Sequence, residues 1–338
     1  MVLDKKLTVS ASPHVRSSVT TTGIMLDVII AMIPALIAAV VFFGPRVLGL
    51  TAVTVITAVL SEYVSRKAMK RHGTLGDLSA VVTGMLLAFN LPATMPFWMA
   101  AIGSVVAIVV VKQFFGGIGM NYVNPALIGR IVLFVSFPTA MTNWVAAGAW
   151  HKGGVDTITT ATPMAQLKEV FTGGNFDKIG EIVEPGLGEM LMGKHGASLG
   201  EVCAIALIIG GLYLLIRGVI SPIIPLTYVG SVALIMLVAG RGNLQFVAYQ
   251  VLGGGLLLGA IFMATDYTTS PVNPKGKVIF AIGCGVLTSV IRLYGNIPEG
   301  VSFAIIIMNI LVPHIENITT PKPFGTPKEE KAAKEGDK

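Results

Sequence analysis

Asp156 to Met164 reads D-T-I-T-T-A-T-P-M, with four hydroxyls and one carboxylate in nine residues and no histidine or cysteine among them. The chemistry such a stretch offers is that of a handle, a hydroxyl to which another group is attached. Thr162-Pro163 adds geometry. Proline disfavours helical backbone at the residue before it and suits the first helical position, so Thr162 is expected as an N-cap. In the segment that follows, Met164, Leu167, Val170 and Phe171 share one helical face. The Thr162 hydroxyl would then sit beside backbone N–H groups that lack helical acceptors, where the helix dipole favours an anion. The same residues also describe a plain cap on a surface helix.

Six other charged residues stand in or at the ends of apolar runs: Asp27, Glu62, Arg130, Glu201, Asp266 and Arg292. Charges in a bilayer are costly and often functional, although near helix ends they can reach the interface. Arg130 lies well inside a run, after Asn124–Gly129, and is expected to pair with a carboxylate or a bound phosphate. Asp266 stands at a break with Thr265, Thr268, Thr269 and Ser270. Hydroxyls and free carbonyls of that kind suit a sodium ion or a proton relay, so Asp266 is the carboxylate expected to serve coupling. A loop that only holds the fold would look the same. His14 and Arg16 fit a solvated arm.

These residues need elements to position them. The chain has 338 residues, 53% apolar and 12% charged, about half the charged fraction of a soluble domain. Its mean hydropathy is strongly positive. Apolar runs of membrane length recur throughout, and only helices or closed barrels satisfy their backbone in lipid. Period-two alternation is absent, which leaves helices. The polar start, Met1 to Ser18, reads as no cleavable signal peptide. Cys203 and Cys284 are too few and wrongly spaced for zinc or an iron–sulfur centre and read as small buried hydrophobes. The surplus of base over acid reads as a topology signal, with no nucleic acid implied.

The runs are Ile24–Phe43, Val47–Val64, Leu78–Leu91, Phe97–Val111, Ala126–Val145, Val202–Arg217, Ile220–Ala239, Phe246–Thr265, Val278–Arg292 and Val301–His314. The fold class is therefore an all-α polytopic membrane protein of about ten transmembrane helices. Gly84–Pro96 aligns with Gly259–Pro271, and Ala101–Lys112 with Ala281–Arg292, which reads as an internal duplication. Each half holds five runs, or three true spans if the third and fourth form a re-entrant pair. Either count is odd, so the halves face opposite ways in the membrane, as inverted-topology repeats whose interface houses a site or pathway. With the N-terminus inside, sixteen of the 24 Lys and Arg residues fall on inner segments and seven on outer ones. That bias places both termini in the cytoplasm and the threonine segment outside. The expected divisions are an arm (1–23), a first repeat (24–145), an extracytoplasmic loop (146–199), a second repeat (200–316) and a tail (317–338).

Asp156, Thr159, Thr160, Ala161 and Thr162 together resemble the D-x-x-[ST]-[GT]-A-T flavinylation motif found in the membrane subunits of Rnf complexes and of the sodium-pumping NADH:quinone reductase. Ser12–Arg16 (SPHVR), Gly84–Pro92 (GMLLAFNLP), Gly116–Ala126 (GGIGMNYVNPA) and Thr265–Val272 (TDYTTSPV) resemble the D-type membrane component of the Rnf complex, so the likeness covers nearly the whole chain. The related NqrB subunit has a longer N-terminal extension and reads S-G-A-T where this chain reads T-T-A-T, which favours the Rnf type.

The resemblance implies FMN joined to Thr162 as a phosphoester by a flavin transferase. It also implies a noncovalent flavin, such as riboflavin, in the membrane part, and two inverted five-helix repeats similar to urea transporters. Activity would be one share of an ion-translocating ferredoxin:NAD⁺ oxidoreductase in a bacterial inner membrane. No nicotinamide fingerprint, cysteine cluster or haem ligand pair is visible, so partner subunits would hold the iron–sulfur centres and the nicotinamide site. Trp144, Trp150, Phe171 and Phe176 are candidates to pack on the flavin ring, or are ordinary interfacial aromatics. The competing readings are an NqrB-like subunit, a urea- or ammonium-transporter-like channel without a redox cofactor, and a structural anchor.

Overall fold

A computed structural model describes residues 19–71, 75–148, 150, 162–174, 176, 179–183, 186–295 and 300–321. Those residues form helices joined by turns, with no strand among them. Asp156, Thr159, Thr160 and Ala161 lie outside them.

The first half begins with two long helices, α1 (Thr21–Phe43) and α2 (Arg46–Ala68). Thr20 caps α1 by accepting the Gly23 amide at 3.1 Å. Next comes α3 (Ser79–Phe89), only eleven residues and buried along nearly its whole length. At 1.5 Å per residue it reaches about half the hydrocarbon thickness of a bilayer. Its approach to α2 depends on Gly84, where a Cβ would come within 2.8 Å of the Val55 Cα. A second apolar helix, α4 (Phe97–Gln113), winds its last eight residues as a π-helix. The half closes with α5 (Pro125–Ser136), capped by the Asn124 side chain.

A short amphipathic helix, α6 (Pro163–Gly173), and a shorter one, α7 (Leu187–Met192), lie between the halves. The second half contains α8 (Ala204–Ile216), α9 (Ile223–Ala239), α10 (Leu244–Leu252), α11 (Leu256–Met263), α12 (Pro274–Tyr294) and α13 (Val301–Thr319). Four helices, α1, α2, α12 and α13, are long and apolar enough to cross a membrane, or five spans if α10 and α11 count as one. This is a multi-pass membrane protein.

Two expected runs are interrupted. Phe246–Thr265 is not one helix: α10 and α11 meet at 61°, because Gly254 and Gly255 take φ of +65° and +68°, backbone that side-chain-bearing residues rarely adopt. Arg292 braces the bend by donating to the carbonyls of Gln250, Gly253 and Gly254. Ala126–Val145 stops at Ser136, since Pro138 pushes Phe137 out of helical geometry.

Contacts also join the chain's early and late helices: α1 packs along α8, and α5 meets α13. The ends of α3 and α11 are joined as well. Asn90 Nδ2 lies 3.7 Å from Met263 Sδ, and Asn124 Nδ2 donates to the Met263 carbonyl at 3.3 Å.

Three basic residues counted for topology, Arg66, Lys112 and Arg292, are interior. Lys112 is 2% exposed and donates to Glu62 at 2.9 Å and to Ser79 Oγ at 2.6 Å. Leaving the three out preserves the charge bias, since two come from the inner sixteen and one from the outer seven.

Candidate functional site

Thr162 begins α6 as expected. Its backbone is extended, Pro163 takes the first helical position, and its Oγ accepts the Ala165 amide at 3.3 Å. Met164, Leu167 and Val170 turn one face of α6 into the protein, against α10 and α12. This docking buries Thr162 to 7% exposure. Its hydroxyl therefore serves a cleft and not open solvent.

That cleft is lined by Thr162, Met164, His195, Glu201, Gly253 and Gly254, among others. The bend between α10 and α11 supplies its floor. At Gly254 a Cβ would meet the Arg292 guanidinium at 2.7 Å and Met164 at 3.0 Å. The strand of chain from Gly193 to Glu201 supplies the opposite wall. Gly193 takes φ +99°, turning the chain after α7 so that His195 points inward. Leu199 and Gly200 donate to the carbonyls of Leu91 and Phe89 at 3.0 and 2.8 Å, which satisfies acceptors that the end of α3 leaves open.

His195 is 5% exposed, and its Nδ1 is sealed from solvent without a hydrogen-bond partner. Burial pushes its pKa down to about 4, so the imidazole is neutral near pH 7. The sequence reading missed it. A single histidine between lysine and glycine carries no spacing signal, and only the fold brings it to Thr162.

The aromatic candidates divide. Phe171 and Phe176 pack edge-on to each other at 6.4 Å, and against Tyr294 and Phe246 at 6.1 and 5.5 Å. They form a cluster toward the far end of α6, roughly two turns from Thr162. Trp150 covers Gly44 and donates to the Val41 carbonyl.

Asp266 and Arg130 lie elsewhere. Asp266 caps its own turn, accepting from the Thr268 amide at 3.4 Å and the Thr269 hydroxyl at 3.2 Å. It lines a larger, mainly apolar cavity where α1, α3, α8 and α11 converge, together with Asn121, Asn124 and Thr265. The Asn121 Oδ1 there is buried without a hydrogen-bond partner. Arg130 donates to Ser302 Oγ at 2.5 Å, tying α5 to α13.

The described geometry defines a multi-pass helical membrane protein with a small cleft at a helix N-terminus and a larger cavity where α1, α3, α8 and α11 converge. A sequence model of the NQR2, RnfD, RnfE family matches residues 8–325. The D component of the Na(+)-translocating ferredoxin:NAD(+) oxidoreductase complex of Acetobacterium woodii is 46% identical, covering 97% of this chain and 98% of its own. The D component of the proton-translocating ferredoxin:NAD(+) oxidoreductase complex of Clostridium ljungdahlii is 40% identical over 94% and 96%. The D component of the ion-translocating oxidoreductase complex of Halorhodospira halophila is 34% identical over 93% and 94%. The chain belongs to the NQR2, RnfD, RnfE family.

Proposed function

We propose that this chain is the D-type membrane subunit of an ion-translocating ferredoxin:NAD⁺ oxidoreductase complex, carrying FMN as a phosphoester on Thr162. The observation that carries the reading is the place of the Thr162 hydroxyl, at the N-terminus of α6 and facing a cleft. A phosphate there meets the Met164 amide and the positive end of the helix. The flavinylation motif Asp156, Thr159, Thr160, Ala161 runs directly into it. A flavin supplies one- and two-electron chemistry, and the covalent bond keeps it from being lost on the outer side, where no pool of FMN would replace it.

A noncovalent flavin in the membrane part belongs to the same reading; the cavity beside Asp266, about 100 Å³, is smaller than such a ring needs and is not assigned to it. Partner subunits supply the iron–sulfur and nicotinamide chemistry, and a flavin transferase loads Thr162. The chain lies in a bacterial inner membrane with both termini cytoplasmic and the segment 146–199 outside. Its ten apolar stretches form two inverted, urea-transporter-like repeats, 24–145 and 200–316. The contacts of α1 with α8 and α5 with α13 support this, since a two-fold relation brings equivalent elements together at its axis. The names of the first two relatives differ in the ion, so overall similarity does not set whether sodium or protons move.

The test is in-gel flavin fluorescence of the denatured chain, coexpressed with a flavin transferase. Wild type is expected to give a fluorescent band and Thr162→Ala none. No band in wild type, with the transferase active on a control substrate, would return the chain to the channel reading.

A further inference from the structure

The Thr162 cleft holds a feature that capping a helix does not explain. His195 is nineteen parts in twenty buried, and its Nδ1 has no hydrogen-bond partner. Buried polar nitrogens are rarely left so, because the lost hydration is not replaced. His195 is also not apolar filler, since the residue lines a cleft shared with the Thr162 hydroxyl and a helix N-terminus. On the other side of that cleft, the first turn of α6 presents the Met164 amide, at a position with no acceptor inside the helix. A donor on each wall and a hydroxyl between them match a tetrahedral anion bonded to that hydroxyl.

We propose that His195 is a positioning residue for the phosphodiester on Thr162, its Nδ1–H donating to one free phosphate oxygen while the Met164 amide of α6 serves the other. This rests on the reading of Thr162 as the flavin-bearing residue and goes beyond it, in naming the side chain that fixes the linkage. The cleft's carboxylate, Glu201, turns its Oε1 against Gly255, where a Cβ would lie 2.3 Å away. The guanidinium of Arg292 lies behind Gly254 and adds positive charge beneath the floor. A neutral imidazole suffices as donor, so no protonation change is required.

The consequence is mechanical. Once bonded to the phosphate, His195 ties the chain at 193–201 to the start of α6. That same stretch holds the end of α3 through Leu199 and Gly200. The flavin linkage is thereby anchored to the interior of the first half as well as to α6.

The test uses the full chain prepared with and without active transferase, as wild type, His195→Asn, His195→Gln and His195→Leu. In-gel fluorescence first establishes covalent flavin in each preparation. Hydrogen exchange over 193–201 is then compared between the loaded and unloaded forms of the same variant, so damage common to both cancels. Asparagine places an N–H where Nδ1 stands; glutamine places it where Nε2 stands. Loading is expected to slow exchange by on the order of tenfold in wild type, to a similar degree in His195→Asn, and little in His195→Gln or His195→Leu. Equal protection in wild type and His195→Leu would overturn the proposal, as would His195→Asn behaving like His195→Leu. Absence of covalent flavin from wild type would instead overturn the reading of Thr162.

Discussion

Gly200 donates its amide to the Phe89 carbonyl at 2.8 Å, and its Cα lies so close to that ring that a Cβ would come within 2.5 Å of the Phe89 Cβ. The outer cleft and the buried end of α3 are thus one mechanical unit, because the chain that caps α3 also carries His195 and Glu201. Gly200→Ala forces either Phe89 or the loop to move. Overpacking of this kind costs about 1–3 kcal/mol. Thermal unfolding of the detergent-solubilised chain is expected to show that loss, with faster exchange at both 86–91 and 193–201. A change confined to the loop would mean that the two regions are not coupled.

Lys112 is held between Glu62 and Ser79, and Gln113 donates to the other Glu62 oxygen at 2.9 Å. Arg66 approaches the same carboxylate at 3.5 Å. Removing one member of such a buried group strands the others, at a cost of roughly 3–5 kcal/mol, whereas removing a pair together costs less. Glu62→Gln and Lys112→Met are each expected to lower the melting temperature strongly. The double variant is expected to fall short of their sum. Additive losses in the double-mutant cycle would show that the two side chains act independently.

Much of the helical layout was legible because it rests on local signals. The apolar run at 24–43 becomes α1, and Thr162-Pro163 starts α6. Hydrophobicity alone could not show that α10 and α11 bend apart, since glycine sits as readily in an apolar run as in a sharp turn. Nor could it show that Lys112 is interior, because that depends on Glu62, fifty residues away, arriving opposite it. At the cleft, Thr162 was legible from its proline and threonine neighbours. His195 was not, since its meaning comes only from tertiary proximity.

His195 also makes the unloaded chain sensitive to acid. Its pKa is pushed down to about 4 by burial, while a histidine in an unfolded chain titrates near 6.5. As pH falls below 6.5 the unfolded state takes a proton that the folded state refuses, so stability drops until about pH 4 and is unaffected above 6.5. The full loss is on the order of 3 kcal/mol, and about 2 kcal/mol by pH 5. Glu201 lies in the same cleft and Arg292 beneath it, so the comparison should be made within one background. Melting curves of unloaded wild type against His195→Asn between pH 7 and 5 are expected to diverge as pH falls. Curves that stay parallel would mean that His195 takes up its proton without leaving the folded cleft.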